Sequence, residues 1–354
     1  MGVKPDMRSE ASSAVILIDS TWRKKWDQFV LNHDNYSVYH LYDWRNLIER
    51  IFRSETYYFV ALNDQNIVGV LPLVRLKSWL FGDFMVSIPY FNYGGILADN
   101  DQVFSILWES ASALAVKLGV KHIEMRHSEV SNVPAPTRTD KVSMILKLPN
   151  TTDELFQKLT SKLRAQIKRS VREGATVHLG NMDLLSDFYF VFSKNMRDLG
   201  TPVYAITFFK SMLIEFASKT KIVVVRVKGK PVAAAFLVGE NYRMEIPWAS
   251  SLREFNHLSV NMLLYWEVLK YSIEHDYRLF DFGRCSVDSG TYKFKKQWGA
   301  DPLQLYWSYW IEGDTSLPKL NPSNPKFKLL ISVWKRLPLW FANWIGPKIV
   351  KNLP

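Results

Sequence analysis

The chain has 354 residues, 47% of them hydrophobic and 22% charged. Such proportions exclude bulk disorder, a collagen-like fibre and a disulfide scaffold, and the length suits two domains with their own cores. A single cysteine, Cys285, excludes internal disulfides and a cysteine-rich metal site, while the net charge of +11 favours a polyanionic partner: nucleic acid, anionic lipid or a phosphorylated substrate.

The first apolar run, residues 14–18, is too short for a signal-peptide core or a membrane span. Asp6 stands where an N-myristoylation motif needs Ser or Thr. A cytoplasmic protein without a transmembrane helix is expected. Residues 57–74 (YYFVALNDQNIVGVLPLV) then predict strand, polar turn and strand, broken at 63–66. In the irregular stretch at 87–99 (SIPYFNYGGILAD), Tyr90, Phe91 and Tyr93 adjoin Gly94-Gly95. They form either an apolar ligand wall or a turn capped by aromatic packing. A helix follows at 101–118, with Val103, Leu107, Leu114 and Leu118 on one stripe, and then the strand HIEMR, which ends at Arg126.

Thr151 and Glu154 make a capping box. Leu155, Leu159, Leu163, Ile167 and Val171 predict a single helix that runs to Gly174. Its cations, Arg164 among them, mark either a solvated surface or an anion-binding face. Residues 222–238 (IVVVRVKGKPVAAAFLV) repeat the hairpin at an offset of 165, which lays Val60 on Val225 and Gly69 on Ala234. A second helix at 258–274 and the strand RLFDFGR at 278–284 complete the repeat. Hairpin, helix and strand, occurring twice, predict a mixed α/β (α+β) chain of two related domains.

The stretch DFGRCSVDSGTYKFKKQWGA at 281–300 gathers Gly283, Arg284, Gly290, Tyr292 and Lys295 behind a strand. Glycines permit close backbone approach, and the cations suit phosphate or carboxylate oxygens. The other reading is a surface turn with a basic rim. P-loop, nucleophile-elbow and zinc-helix motifs are absent, and the seven histidines lack metal spacing. Pro318, Pro322 and Pro325 mark a linker. Residues 326–351 then carry six cations and no acid, interleaved with Trp334, Trp340 and Trp344. That pattern fits an amphipathic segment lying on an anionic membrane, or else a tail folded back on the body. The membrane reading expects residues 326–354 to be removable without unfolding the rest.

The tandem half-repeats, RAQIKRSVREG at 164–174 and FGRCSVDSGTYKFKKQWGA at 282–300 resemble the FemAB family of peptidoglycan-bridge aminoacyltransferases. Within it, VGVLPLVRLKSWLFG at 68–82, SIPYFNYGG at 87–95 and the tail from NPSNPKFKLL resemble FemAB-related proteins of PEP-CTERM/exosortase exopolysaccharide loci. The resemblance covers about residues 38–354 and implies two acetyltransferase-like (GNAT) domains. These are expected at 1–150 and 151–317, the second opened by a basic helix at 151–173, with linker and tail at 318–354. It further implies acyl or aminoacyl transfer that forms an amide on a peptidoglycan or exopolysaccharide precursor.

The family lysine of F-K-x-x-[FW]-G falls on Lys295, and the arginine after the preceding strand on Arg284. A family aspartate corresponds to Asp99, where this chain has Gly94-Gly95 in place of glycine-proline. Lys295, expected on an exposed loop, would stabilise an oxyanion or hold a phosphate. Asp281 would take the proton of the attacking amine, or pair with Arg284. Arg284, Tyr292, Tyr93, Arg164 and Arg126 are the expected substrate-binding residues. No resident cofactor or metal is expected. The donor would be an aminoacyl-tRNA, with tRNA then a partner, or an acyl thioester. Neither 97–104 nor 250–259 holds the [RQ]-x-x-G-x-[GA] loop that wraps a coenzyme A pyrophosphate. The partners would be a phosphate-bearing or lipid-linked envelope precursor and, through residues 326–351, the inner membrane face. Two alternatives stay open: N-acylation of an exopolysaccharide sugar from a thioester, and a non-catalytic basic module for lipid or nucleic acid.

Overall fold

A computed structural model describes residues 14–79, 81–131, 133–313, 317 and 325–353, with backbone alone for 325–329. Asp6 and the linker prolines Pro318 and Pro322 lie outside the described residues. The first repeat runs β1 (Ala14–Leu17), α1 (Arg23–Asn32), α2 (Asp43–Phe52), β2 (Glu55–Asn63), β3 (Asn66–Ser78), β4 (Gly82–Val86), β5 (Leu97–Ala98), α3 (Asp101–Leu118), β6 (His122–His127) and β7 (Thr137–Arg138). The second begins with β8 (Val142–Lys147), α4 (Thr152–Lys158), α5 (Ser161–Arg172), β9 (Ala175–Gly180), α6 (Leu185–Leu199) and α7 (Ile206–Glu215). It continues through β10 (Thr220–Val227), β11 (Lys230–Glu240), β12 (Arg243–Ser251), α8 (Val260–Glu274), β13 (Leu279–Cys285), α9 (Gly290–Lys296) and β14 (Asp301–Gln304). Strand β15 (Tyr306–Ile311) and helices α10 (Pro325–Trp334) and α11 (Leu339–Val350) close the chain.

Both hairpins turn in two residues, Asp64-Gln65 in the first, with Asp64 left-handed, and Lys228-Gly229 in the second, both left-handed. Pairs Asn63↔Asn66 and Val227↔Lys230 close them, and each ladder slips by one just beyond, at Ala61/Leu62 and Val225/Arg226. The repeats therefore align at an offset of 164, which corrects the expected 165. Because strand side chains alternate faces, the odd offset would send every residue to the wrong side. At 164, Gly69 lies over Ala233, each beneath its crossover helix. A Cβ on Gly69 would come within 2.6 Å of Val103 on α3, so the close approach of helix to strand requires glycine there.

The first sheet has strand order β1-β2-β3-β4-β6-β15-β7, with β5 on β3; the second is β14-β8-β13-β12-β11-β10-β9. In each, a hairpin is followed by a helix that returns the chain parallel to the sheet, pairing β4 with β6 and β12 with β13. Sheet membership crosses the expected limits. Strand β8 precedes residue 150 yet pairs with β13 and β14, while β15 reaches back to β6 and β7. Local periodicity marks a strand; it does not choose a partner as distant as Trp307 is from Arg126.

Helices α3 and α8 each cover one face of a sheet. The opposite faces share one core, in which Tyr58, Val60 and Val70 of the first sheet join Ile222, Val224 and Phe236 of the second. The repeats are thus fused through apolar packing, at about 2 kcal/mol per fully buried large side chain.

Two expectations change here. The helix expected at 151–173 breaks at Leu159, whose backbone is extended, and Thr160 caps α5 by accepting the Leu163 N–H at 3.3 Å. Val171, placed on the apolar stripe, is exposed. A four-residue spacing drifts about 40° per step against the 3.6-residue helix, so the stripe turns away from the core. The tail also packs on the body, with α10 and α11 lying against α6. Arg197 donates to the Leu337 carbonyl at 2.9 Å, and a Cβ at Gly346 would meet the Val203 backbone at 2.9 Å. Removing residues 326–354 would uncover that face, so the body is not independent of the tail. Among the described residues no helix is long and apolar enough to cross a membrane.

Candidate active site

Strands β12 and β13 pair only at Arg243↔Leu279, Met244↔Phe280 and Glu245↔Asp281, and then separate. Pro247, with no N–H to give a ladder, sits where β12 departs. On β13 the register against β8 shifts between Asp281 and Arg284, around Gly283 at φ +76°. The gap is a cavity of about 310 Å³ walled by both strands, by Thr291 and Lys295 of α9, and by Tyr90, Phe91 and Asn92 from the first repeat. The 87–99 stretch therefore contributes a cleft wall from Tyr90 and Phe91, while Phe91 also stacks on Tyr39 at 4.0 Å.

Ser289 caps α9 by accepting the Tyr292 N–H at 3.1 Å, and one turn later the helix delivers Lys295. The bulge aims two carbonyls at that lysine, and Nζ donates to Gly283 O at 2.8 Å and Arg284 O at 3.0 Å. Two of its three N–H donors are engaged, and one remains for a cleft ligand. Lys295 is thus buried on a helix, which corrects the exposed loop expected for it. Burial lowers its pKa, against the opposing pull of Cys285 and Asp281.

Asp281 is fully buried. One carboxylate oxygen accepts from Ser143 Oγ at 2.6 Å and the Gly283 N–H at 2.7 Å; the other accepts from Tyr93 OH at 2.7 Å and from Arg243. Its ion-pair partner is Arg243, which corrects the expected pairing with Arg284. Burial alone would raise this carboxyl; Arg243, Ser143 and Tyr93 outweigh it and hold the pKa low. Glu245 lies beside Arg243, accepts from Tyr39 OH at 2.9 Å and faces the cleft. Here burial outweighs Arg243, and the carboxyl is raised.

Arg284 opens onto the cleft, its guanidinium 4.7 Å over the Trp307 ring, and Arg126 lies over the same ring at 4.4 Å. Among the described residues no side-chain hydrogen bond or ion pair holds Arg284. The residue is exposed at the cleft mouth, yet the protein atoms crowded around its head remove part of its hydration, and this desolvation, followed by the charge of Arg126, brings its pKa down to about 10. Arg126 itself is committed, donating to Glu124 Oε1 at 2.8 Å and to the Phe91 carbonyl. The cleft thus combines an unpaired guanidinium and a partly free ammonium over a neutralised carboxylate, an arrangement suited to an anion or a developing oxyanion.

Of the expected residues, Lys295, Asp281 and Arg284 line the cleft, whereas Tyr93 and Arg126 line a neighbouring cavity and connect to the cleft through Asp281 and the Trp307 ring. Tyr292 packs into the core of the second sheet, about 100° round the helix from Thr291. Arg164 stays on the outer surface of α5, donating to Gln157 O at 3.4 Å, away from the cleft. Arg243, Glu245, Tyr39, Ser143 and Trp307 were not foreseen. A signal existed for two of them: Arg243 and Glu245 sit two apart in an otherwise apolar strand, as Glu124 and Arg126 do in β6. Glu124 and Asp281 also match in place, each ending its parallel ladder.

Asp99 lies elsewhere, in a second cavity of about 290 Å³ that Tyr93 and Arg243 wall off from the cleft. His40 and His127 line it. His127 Nε2 accepts from the Ile96 N–H, and His40 Nδ1 from the Ser37 N–H, so each ring is neutral. Burial foremost pushes His127 down to about 3 and His40 to about 4. Pairing with a depressed folded pKa is lost as pH falls, because the unfolded chain takes protons that the fold refuses. Stability should therefore fall from about pH 6.5 towards pH 4, the two rings together contributing up to roughly 2.7 kcal/mol per pH unit. Denaturant titrations across that range check this, and His127→Gln should flatten the slope by about one proton. An unchanged slope would refute the assignment.

Residues 160–296 match the family model described as an acetyltransferase (GNAT) domain, a span that includes β12, β13 and α9. No curated protein matches the chain. Among solved structures, FemX is similar at 14% identity and TM-score 0.63, over 83% of this chain and 96% of that one. The L-PGS structure from Bacillus licheniformis is similar at 11% identity and TM-score 0.56, over 89% and 97%. A tandem GNAT protein from the clavulanic acid biosynthesis pathway is similar at 12% and 0.53, over 87% and 100%. At these identities the likeness is one of fold. The domain match and the double repeat define the class: a GNAT-type acyltransferase fold, carried twice in one chain.

Proposed function

We propose that the protein transfers an acyl or aminoacyl group onto an amine of a phosphate-bearing or lipid-linked cell-envelope precursor, at the inner face of the membrane. The observation that carries this reading is the cleft between β12 and β13, where Arg284 stands unpaired beside Lys295. An acyl ester or thioester is already activated, so catalysis needs positioning and a place for negative charge. Arg284 holds a phosphate of donor or acceptor. The amine nitrogen attacks the acyl carbon, and the remaining N–H of Lys295 stabilises the oxyanion. The C–N bond forms, the amine proton passes to Glu245, and the C–O or C–S bond breaks with a proton returned to the departing alcohol or thiol. Asp281, with both oxygens engaged, positions Gly283 and Arg243 and does not take the proton itself.

An aminoacyl-tRNA donor is favoured over coenzyme A by the missing pyrophosphate loop. FemX and L-PGS share this fold, and support an envelope acceptor to that extent only. The test is to incubate the purified protein with an aminoacyl-tRNA pool, or with acyl-coenzyme A, and amine-bearing nucleotide- and lipid-linked envelope precursors. Products are scored by mass, beside a comparison of precursor pools with and without the gene. A precursor heavier by one acyl or aminoacyl unit is the expected result. No amide in any pairing and unchanged pools would overturn the proposal.

A further inference from the structure

Helix α11 has two opposed stripes. Ala342, Gly346 and Val350 recur every four residues and are buried against the body. Trp340, Trp344 and Lys348 recur at the same spacing on the other side, with the tryptophans 72% and 58% exposed. On α10, Leu330 and Val333 are likewise exposed. Helix packing accounts for the small residues inside; it does not account for two bare indoles outside. The charged side chains that the α10–α11 segment itself carries are of one sign. Lys335, Arg336, Lys348 and Lys351 are all exposed, residues 325–354 contain no acid, and among the described residues none of these cations has an acidic partner. Lys348 Nζ lies 3.8 Å over the Trp344 ring, so cation and indole share one patch.

We propose that the α10–α11 pair is a docking surface for an anionic lipid bilayer. Tryptophans at headgroup depth, apolar side chains below and cations against lipid phosphates are the chemistry of a helix lying in the interface plane. At 12 residues α11 is about 18 Å long, too short to span. The surface also adjoins the active cleft, because Tyr90, which lines the cleft, donates its hydroxyl to the Lys351 carbonyl at 2.8 Å. Docking here brings the cleft wall to the membrane, where a lipid-linked acceptor is held. That last step rests on the proposed acyl transfer; the lipid contact does not. A second copy of the chain is a poor occupant, since it would set like charge against like charge.

The experiment is flotation of the full chain with phosphatidylcholine vesicles, with and without phosphatidylglycerol. Binding is expected only with the anionic lipid, weakened by salt yet not eliminated. Trp340→Ser/Trp344→Ser should lower partitioning by about tenfold or more, and Lys348→Glu/Lys351→Glu should do so for anionic vesicles. Because these side chains are exposed, the melting temperature of both variants should match wild type. Truncation at residue 325 is not a clean test, since α10 and α11 also cover α6. If the folded tryptophan variant floats as well as wild type, or sedimentation shows the patch pairing two copies with no vesicle binding, the inference falls. Turnover on a nucleotide-linked acceptor is scored apart. Retained turnover with no flotation overturns only the surface, whereas flotation with no amide overturns only the acyl transfer.

Discussion

Lys295→Met is expected to lower kcat by about 10²–10³-fold, the loss seen when one donor to an oxyanion is removed. It should also cost stability, which a lysine on an exposed loop would not. Nζ bonds the carbonyls of Gly283 and Arg284, and both would be left without their charged donor. Hydrogen bonds to a charged group contribute roughly 1.5–3 kcal/mol each, so a loss of about 3 kcal/mol is expected. Lys295→Arg separates the two effects. It restores charge near the carbonyls, but a planar fork cannot reproduce the single N–H aimed into the cleft. Partial recovery of stability without recovery of rate is the expected pattern, read by denaturant melts beside single-turnover kinetics. A folded Lys295→Met protein with wild-type turnover would move the role to Lys293 or Lys296. Those two are exposed on α9, with Lys296 already paired to Asp301 at 2.7 Å.

Asp281→Asn should also damage the fold, at about 3 kcal/mol, because it strips the nearest acid from the half-buried Arg243 guanidinium and leaves it only Glu245 at 3.6 Å. Four donors converge on this carboxylate: Ser143 Oγ, Tyr93 OH, the Gly283 N–H and Arg243. Asparagine keeps the shape but turns one oxygen into an NH₂, setting donor against donor on one side. Tyr93→Phe is the matched control. It removes one of the four bonds and also an acceptor of Arg243, and should cost about 2 kcal/mol. Turnover should fall with Asp281→Asn as well, since the Gly283 bulge that aims carbonyls at Lys295 loses its anchor. Chemical denaturation of the two variants decides the matter. An Asp281→Asn protein within about 1 kcal/mol of wild type would mean that the network does not hold β13 in place.

The residues that announced themselves in the sequence did so through local chemistry. Both hairpins are legible because apolar runs flank turn-forming residues, and α3 is legible to its last residue between the Asn100 cap and left-handed Gly119. Thr151 caps α4 as its spacing to Glu154 predicts, accepting that residue's N–H at 3.2 Å. The stretch from Asp281 to Gly299 concentrated glycine and cations on one strand end, and three expected site residues, Asp281, Arg284 and Lys295, do line the cleft there. Each of these is settled within a few residues along the chain.

What the sequence left open depends on partners far apart in it. A repeat offset of 164 or 165 looks equally good as apolar text, and the ladder pairs, with α3 and α8 packing on equivalent members of the alternation, separate the two. Arg243 rather than Arg284 became the mate of Asp281 because Glu245↔Asp281 ends the parallel ladder and holds β12 beside β13, while the Gly283 bulge carries Arg284 away. Strands β8 and β15 exchange between repeats because unpaired sheet edges accept whichever strand the fold brings to them. Lys295 reads as exposed on composition, yet α9 folds it onto two carbonyls. The tail's single sequence pattern covers two faces, one docked on α6 and one bare. Burial is a property of what arrives from elsewhere, and it alone set which charge is paired, which is neutral and which is left for a ligand.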